Sequence, residues 1–348
     1  MPESRRFLPL AEAQGPFFVG VDLGGTNMKV GVVDDRGRPL SWISIETEPQ
    51  RGAEDATRRM AQAVLRAIAA AGLQLAQVAR VGLGSPGTMD LPAGLLVDPA
   101  NLPGWINFPI RDTLARQCGL AVAFANDAAA AAYGEFWVGS GKELPSMVLF
   151  TLGTGIGAGI IVGERSIDGE HSHGAECGHI IIDYRDDARL CTCGQTGHLE
   201  AYASAPAVVK RTREALDSGQ TSSLAARIEA GETLTPLLLA QEADAGDELS
   251  MEIILDTARY LGVGVVSVMH TIDPSGIVLG GAMTFGCEKT AVGRRFIERV
   301  REEVRRRAFP VLAERTKIDY ATLGGDAGYI GAAGLARAEH RRRLEVRG

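Results

Sequence analysis

The sequence has no excess of positive charge. Its 348 residues include 36 basic and 43 acidic side chains, which gives a formal net charge of −7. A nucleic-acid-binding surface normally shows a basic excess or a basic stripe, so this balance argues against a nucleic-acid partner. The basic run at residues 341–343 belongs to a predicted C-terminal helix and is typical of a solvated face.

The chain also lacks a cysteine framework and a long uninterrupted apolar run. Its five cysteines are an odd number without framework spacing, in keeping with a reducing compartment. The most apolar segment, residues 147–163, contains five glycines and two threonines and favours a glycine-rich hairpin over a membrane helix. We therefore expect a cytoplasmic protein with no membrane partner.

The length favours two domains, because 348 residues exceed the size at which a single core usually stops growing. Near the N-terminus, Arg5 and Arg6 resemble part of an export signal, but no apolar region follows them. Residues 1–15 are predicted to be a disordered tail.

Two glycine-rich hairpins are predicted. Residues 17–33 (FFVGVDLGGTNMKVGVV) indicate a strand, a glycine turn and a second strand, and residues 147–161 (MVLFTLGTGIGAGII) repeat the pattern. A turn without bulky side chains lets backbone N–H groups point at an anion such as phosphate. The repeat indicates an internal duplication, although two unrelated hairpins would give the same pattern.

The segments between the hairpins alternate between helix and strand patterns. Residues 55–71 carry apolar side chains at helical spacing, and residues 78–84 form an apolar strand pattern that leads into a Ser-Pro-Gly loop. Alternation of this kind predicts parallel strands covered by helices, with ligands at the carboxyl ends of the strands. The loop at residues 101–105 and the strand that ends at Asn126 and Asp127 are expected at that edge.

Four residues have the spacing of a zinc site: His179, Cys191, Cys193 and His198, in the pattern H-x11-C-x-C-x4-H. Zinc takes four Cys or His ligands tetrahedrally in closed structural sites. The alternatives are a disulfide or two buried thiols. A disulfide within C-x-C is unfavourable, because the Cβ atoms of the two cysteines do not face each other in the geometry that a disulfide requires.

At this point the chain resembles a known family. Residues 173–200 (HGAECGHIIIDYRDDARLCTCGQTGHLE) resemble the hallmark of the ROK family of sugar kinases and sugar-responsive repressors, which is G-E-x-G-H followed by C-x-C-G-x-x-G-C-x-E. Cys177 and His198 depart from the family pattern: Cys177 replaces an apolar residue, and His198 replaces the third zinc cysteine. Neutral imidazole is itself a good zinc ligand, so the set remains chemically sound.

The resemblance implies a two-domain α/β fold of the actin-like ATPase class, with an interdomain cleft. The implied small domain comprises residues 16–132 and 329–345, with the first phosphate hairpin and the catalytic aspartate. The implied large domain comprises residues 133–328, with the second hairpin, the zinc site and the adenosine site.

The resemblance also assigns the site residues. Asp127 is the expected catalytic base, although an aspartate before an alanine-rich helix is equally typical of an N-cap. His179 is expected to ligate zinc with one ring nitrogen and face the sugar with the other. The residues implied in sugar binding are Gly87, Asn101, Asn126, Asp127, Glu176, His179 and Glu200.

A second set is implied in binding ATP and Mg²⁺. Asp22, at the end of the first strand, is expected to hold Mg²⁺ directly or through water, unless it is only a surface carboxylate. Lys29 either reaches phosphate or faces solvent. The residues implied at the phosphates and the adenosine are Gly24, Gly25, Thr26, Asn27, Gly153, Thr154, Gly155, Gly280 and Gly281.

The activity implied is ATP-dependent phosphorylation of the 6-hydroxyl of a hexose by a homodimer. Glucose is favoured by the NLPGW segment at residues 101–105 and by the region of Asn126 and Asp127. Fructose, allose, mannose and N-acetylated hexosamines remain alternatives. The competing class is a sugar-responsive repressor, which carries a helix-turn-helix domain before the first hairpin, where this sequence has about 16 residues. A chaperone-like or filament ATPase is disfavoured by the sugar and zinc motifs.

Overall fold

The computed structural model describes residues 5–99 and 101–346 and confirms a mixed α/β protein. The chain divides into two compact units. The first contains the described residues up to Pro145, the segment Gly159–Ala175 and the chain from Thr322 onward, and the second contains Ser146–Ala158 and Glu176–Ala321. The predicted boundary after residue 132 falls inside a helix, Asp127–Val138. The predicted domain limits stay a prediction.

The first sheet has five strands. Two short strands that lie between β4 and β7 in the sequence form a separate two-stranded sheet. The order along the sheet is β3-β2-β1-β4-β7; β1 pairs antiparallel with β2 and parallel with β4, and β4 pairs parallel with β7. The strands are β1 (Phe17–Leu23), β2 (Asn27–Val33), β3 (Pro39–Glu46), β4 (Val78–Ser85), β5 (Thr88–Asp90), β6 (Leu95–Asp98) and β7 (Val122–Asn126).

Helices cover this sheet on both faces, which explains why β1 is buried almost continuously rather than alternately. Val19 and Val21 belong to one core cluster with Met60 of the first helix. Phe18 belongs to a second cluster with Tyr329 of the last helix. The helices of this unit are α1 (Ala53–Ala70), α2 (Ile110–Cys118) and α3 (Asp127–Val138), with the C-terminal helix Ala327–Glu345 described below.

The C-terminal helix lies unusually close to the sheet, and two strand glycines permit this. A Cβ atom at Gly20 would stand 1.7 Å from the carbonyl oxygen of Tyr329, and one at Gly82 would stand 1.8 Å from that of Ala332. Any side chain at these two positions would push the helix away from β1 and β4. Gly20 and Gly82 therefore allow the C-terminal helix to pack closely against the sheet.

The second sheet repeats the arrangement of the first, in the order β10-β9-β8-β11-β12. Strand β11 pairs parallel with both β8 and β12, and β10 pairs antiparallel with β9. Counted among its own strands, each sheet runs third, second, first, fourth, fifth, as the predicted internal duplication requires. The strands are β8 (Ser146–Leu152), β9 (Ile156–Val162), β10 (Arg165–Ser166), β11 (Gly276–Gly281) and β12 (Lys317–Tyr320).

The longest helix of the second unit is apolar enough, by length and composition, to cross a membrane, although the sequence patterns did not indicate one. About 61% of its most apolar window is buried inside the protein, as expected for a core helix. This helix is α8 (Glu248–Ile272). The others are α4 (Glu200–Ala203), α5 (Ala205–Asp217), α6 (Leu224–Glu229), α7 (Pro236–Asp244), α9 (Ala291–Arg307) and α10 (Pro310–Arg315), and the C-terminal helix is α11 (Ala327–Glu345).

Residues 5–15 differ from the predicted disordered tail, of which residues 1–4 lie outside the described part of the chain. The guanidinium of Arg5 lies 3.6 Å above the ring of Trp42 and forms an ion pair with Asp326 at 2.6 Å. The amide of Leu8 donates to the carbonyl of Pro39 at 2.8 Å. A cation over an indole face and a β-type hydrogen bond dock this segment on the first unit.

Candidate functional site

Hydrogen bonds from Thr47, the residue after β3, hold the turn of the first hairpin. The hydroxyl of Thr47 donates to the carbonyl of Gly24 at 2.6 Å, and the amide of Thr47 donates to the carbonyl of Thr26 at 2.8 Å. The amide of Gly24 also donates to the carbonyl of Asn27 at 2.9 Å. Thr47 is fully buried, and no sequence motif had singled it out. These bonds fix the turn that the family resemblance assigns to phosphate.

Asp22 is held beside this turn at the first turn of α11. Its Oδ2 lies 3.6 Å from Nζ of Lys29, and Lys29 donates to the carbonyl of Gly325 at 3.0 Å. A Cβ atom at Gly328 would lie 2.5 Å from the carboxyl carbon of Asp22. Burial raises the pKa of Asp22 above its ordinary value, and Lys29 opposes that rise. Lys29 is therefore a partner of Asp22 and does not simply face solvent.

Asp127 is the first residue of α3, directly after β7. The side chain of Asn126 accepts hydrogen bonds from the amides of Ala128 and Ala129, so Asn126 is the N-cap. The alternative reading of Asp127 as the cap is therefore wrong. Its Oδ1 accepts a hydrogen bond from the amide of Ala128 at 2.8 Å.

The loop that carries Gly87 and Asn101 returns to the first hairpin. Gly87 has φ +92°, and a Cβ atom there would lie 2.5 Å from Pro99, so only glycine suits the position. The carbonyl of Asn101 lies 3.4 Å from the position of a Cβ atom at Gly25. Trp105 is buried and donates its indole N–H to the carbonyl of Pro49. The predicted NLPGW segment is therefore anchored next to the phosphate turn.

The second hairpin is supported by three separate segments of the second unit. Its Gly153 carbonyl accepts from the amide of Ala205 at 2.9 Å, and the amide of Ile156 donates to Oε2 of Glu200 at 2.9 Å. Gly281 has φ +92° and lies against the backbone of Leu152. The structure thus brings the predicted phosphate turn and the predicted adenosine glycine to the same place.

The four predicted metal ligands converge. Their ligand atoms all lie within 4.8 Å of one another. Nδ1 of His179 lies 3.2 Å from Nδ1 of His198 and 3.8 Å from Sγ of Cys191, and Sγ of Cys193 lies 3.2 Å from Nδ1 of His198. Zinc bonded to nitrogen at about 2.0 Å and to sulfur at about 2.3 Å places tetrahedral ligands roughly 3.3–3.8 Å apart. The donor set therefore fits a structural zinc ion.

The electrostatics of this cluster favour metal binding by imidazole. Burial, followed by the neighbouring His179, lowers the pKa of His198 below its ordinary value. Neutral imidazole is the form that ligates zinc. In both histidines, Nδ1 is the ring nitrogen that lies near the other ligand atoms of the cluster.

Both carboxylate oxygens of Glu200 accept hydrogen bonds from other parts of the second unit. Oε1 accepts from the hydroxyl of Thr192 at 2.8 Å, in addition to the bond between Oε2 and the amide of Ile156. Glu176 is exposed, and its carbonyl accepts from the amide of His179 across a short 3-10 turn. Both glutamates and His179 therefore lie on the segments that frame the second hairpin and the metal cluster.

A cavity of about 680 Å³ adjoins the second hairpin at Thr154, and no sequence motif had indicated it. Its lining combines apolar side chains with two cations and two carboxylates. Gly280 and Gly281 are not among its lining residues. These are Thr154, Ala205, Pro206, Val209, Lys210, Arg213, Glu214, Asp217, Leu234, Thr235 and Pro236.

Comparison with known proteins gives a consistent result. The family model described as ROK family matches residues 18–339. A glucokinase from Halalkalibacterium halodurans is 31% identical over 323 residues, covering 93% of this chain and 96% of the relative. A xylose repressor from Caldicellulosiruptor bescii is 28% identical over 255 residues, covering 73% of this chain and 61% of the repressor.

Two solved structures extend the similarity to the fold. The ROK hexokinase from Thermus thermophilus has a TM-score of 0.79 at 31% identity, covering 94% of this chain and 99% of that one. A ROK glucokinase from Streptomyces griseus, in complex with glucose and AMPPNP, has a TM-score of 0.71 at 31% identity, covering 92% and 99%. The actin-like α/β fold predicted from the sequence is confirmed by this similarity.

Proposed function

The chain belongs to the ROK family, and we propose that it is an ATP-dependent hexose kinase that phosphorylates the 6-hydroxyl of glucose. Relatives named glucokinase and hexokinase match over nearly its whole length, which supports kinase activity more strongly than it supports one particular sugar. The site geometry adds the chemical argument.

The observation that carries this proposal is the placement of Asp127. Asp127 is the first residue of helix α3, and Asn126 is the N-cap of that helix. Asp127 therefore stands where a parallel strand ends and a helix begins, the edge at which α/β sheets bind ligands. A carboxylate at that edge is suited to accept the proton of a bound hydroxyl.

In the proposed reaction, the 6-hydroxyl oxygen of the sugar attacks the γ-phosphorus of ATP. The new O–P bond forms while the bond between the γ-phosphorus and the β,γ-bridging oxygen breaks, and ADP leaves. The hydroxyl proton passes to a carboxylate oxygen of Asp127. Phosphoryl transfer needs little covalent assistance, so positioning and charge neutralisation supply most of the rate enhancement.

The sugar-reading residues follow from hydroxyl chemistry. Glu176 and Glu200 can accept from sugar hydroxyls, and Nε2 of His179 can donate or accept according to its tautomer. Asn101 and the side-chain amide of Asn126 can supply further donors to sugar hydroxyls. A sugar with a misplaced hydroxyl would leave one of these polar groups unsatisfied, which is the basis for selecting one hexose.

The nucleotide is assigned to the two hairpins and the neighbouring cavity. Gly24, Thr26 and Thr154 lie in the two glycine turns, while Lys210 and Arg213 line the cavity. Mg²⁺, when bound, neutralises charge on the β- and γ-phosphates, and Asp22 is the carboxylate placed to hold it. Structural zinc, when bound by the His2Cys2 set, orders the loop between β10 and α4.

A substrate panel tests the proposal. The protein with ATP and Mg²⁺ should transfer phosphate rapidly to glucose and much more slowly to N-acetylhexosamines, fructose, allose and mannose, as measured by coupled ADP release. Faster transfer to another hexose would replace glucose as the substrate and leave the kinase assignment in place. No transfer to any hexose would contradict the kinase assignment itself.

The second candidate is a sugar-sensing regulator, favoured by the similarity to a xylose repressor. It predicts hexose binding without phosphoryl transfer in the same panel. We also propose a cytoplasmic location, since all five cysteines are unpaired thiols, and a homodimer, which the family resemblance implies.

A further inference from the structure

Glu200 joins three segments of the second unit through one carboxylate. It is the first residue of α4, its Oε2 accepts from the amide of Ile156 in the second hairpin, and its Oε1 accepts from the hydroxyl of Thr192. Sγ of Cys191 also lies 3.8 Å from Oε1. The two oxygens are thus bonded to different segments, and neither can rotate without breaking a hydrogen bond.

Thr192 is the residue between two of the four metal ligands, Cys191 and Cys193. Its backbone is therefore fixed on both sides whenever those thiolates share an ion. Its side chain is exposed, so its hydroxyl contributes nothing to core packing. The hydroxyl has two polar contacts, a hydrogen bond to Oε1 of Glu200 at 2.8 Å and a longer contact to Sγ of Cys191 at 3.9 Å, and the shorter one connects it to the second hairpin.

The hairpin end of this connection is tightly packed. A Cβ atom at Gly155 would lie only 2.6 Å from Oε2 of Glu200, so the carboxylate occupies the space beneath the turn. Ile156, which donates to that oxygen, is the first residue after the turn. A rotation of the Glu200 carboxylate would therefore move the backbone amide that sets the turn.

We propose that Thr192 is a positioning residue, whose hydroxyl holds Glu200 so that a sugar bound at Glu200 and a nucleotide bound at the second hairpin strengthen each other's binding. This inference rests on the proposed function, which assigns the sugar to Glu200 and phosphate to the hairpin. The linkage is reciprocal: the factor by which glucose tightens ADP binding equals the factor by which ADP tightens glucose binding.

Three variants test the proposal by isothermal titration calorimetry of ADP, with and without saturating glucose, and by zinc analysis. Thr192→Val removes the hydroxyl at nearly constant shape, and Thr192→Ser keeps it. Thr196→Val is the matched control, because Thr196 lies in the same loop and its hydroxyl makes no hydrogen bond to the described residues.

In Thr192→Val, the ADP dissociation constant without sugar should rise roughly three- to tenfold, as expected when only part of the free energy of the lost hydrogen bond is transmitted to the hairpin. The factor by which glucose tightens ADP binding should fall toward one, while zinc content stays at the wild-type value. Thr192→Ser should restore both binding quantities, and Thr196→Val should match the wild type.

Unchanged ADP affinity and unchanged linkage in Thr192→Val would overturn the proposal. Loss of zinc in that variant would also overturn it, because Thr192 would then act by holding the metal loop together. The proposed function fails by a different result: a wild-type protein that phosphorylates no hexose. The sugar-free ADP titration still tests the hairpin arm of the proposal in that case.

Discussion

Gly328 allows a prediction in which activity falls steeply while stability changes little. The Cβ atom of an alanine there would lie 2.5 Å from the carboxyl carbon of Asp22 and 2.6 Å from its Oδ2. Ordinary contact begins near 3.4 Å, so the carboxylate must move by roughly 0.9 Å. A displacement of about 1 Å in a positioned group can cost about 100-fold in rate.

Stability should respond differently, because Gly328 lies within α11, where alanine is the better helix former by about 1 kcal/mol. We expect Gly328→Ala to lower kcat/KM for Mg-ATP about 100-fold and to raise the Mg²⁺ concentration needed for half-maximal rate. Its unfolding free energy should stay within about 1 kcal/mol of the wild type.

Steady-state kinetics over a Mg²⁺ series and urea denaturation measure the two effects. Gly325→Ala is the control, because a Cβ atom there would meet only Nζ of Lys29 at 3.6 Å. It should keep wild-type Mg²⁺ dependence. Normal kcat/KM and normal Mg²⁺ dependence in a folded Gly328→Ala protein would refute the assignment of Asp22 to the metal.

Two further predictions concern the metal and pH. His198→Cys should retain about one zinc per chain, whereas His198→Ala should lose zinc. His198→Ala should also bind glucose more weakly, because Glu200 follows His198 by two residues. Full zinc content and unchanged glucose affinity in His198→Ala would exclude His198 as a ligand. Asp34 is fully buried; burial alone would raise its pKa, but hydrogen bonds from Arg38, Gln14 and Arg36 outweigh burial and lower it. Because the pKa of Asp34 is lower in the folded protein than in the unfolded chain, its ionised carboxylate stabilises the fold above the unfolded pKa of about 3.9. That stabilisation is lost as the pH falls through the folded pKa. Asp34→Asn should therefore lower the unfolding free energy by about 2 kcal/mol at pH 7, with the difference shrinking below about pH 4 in urea titrations; a pH-independent difference would contradict this.

Local patterns predicted much of the fold. The two hairpins are β1 with β2 and β8 with β9, and the apolar helical face predicted at residues 55–71 is α1, Ala53–Ala70. The spacing of the Cys and His residues was also sufficient to identify four ligand atoms that converge. These features depend on residues close together in the chain, whose side chains a turn or a helix must bring together.

The remaining features depend on contacts between distant residues. Glu200 bonds to Ile156 across 44 positions, and Lys29 bonds to Gly325 across 296. The clamp by Thr47 and the docking of Arg5 on Trp42 arise only when the first sheet has formed. No periodicity encodes such pairs, since their members are far apart in the chain.

The sequence also could not show which residue is the N-cap of α3. Asn and Asp are both favoured caps, and they stand next to each other at residues 126 and 127. The structure gives the cap to Asn126 because its side chain accepts from two amides of the first helical turn.

The central claim is that Asp127 accepts the proton of a hexose hydroxyl. Its most direct test is single-turnover transfer of γ-phosphate from ATP to glucose by the wild type and by Asp127→Asn. The substitution preserves shape and removes proton acceptance, so glucose affinity should stay within about threefold, while the transfer rate falls by about 100-fold or more. Transfer by Asp127→Asn at close to the wild-type rate would contradict the assignment.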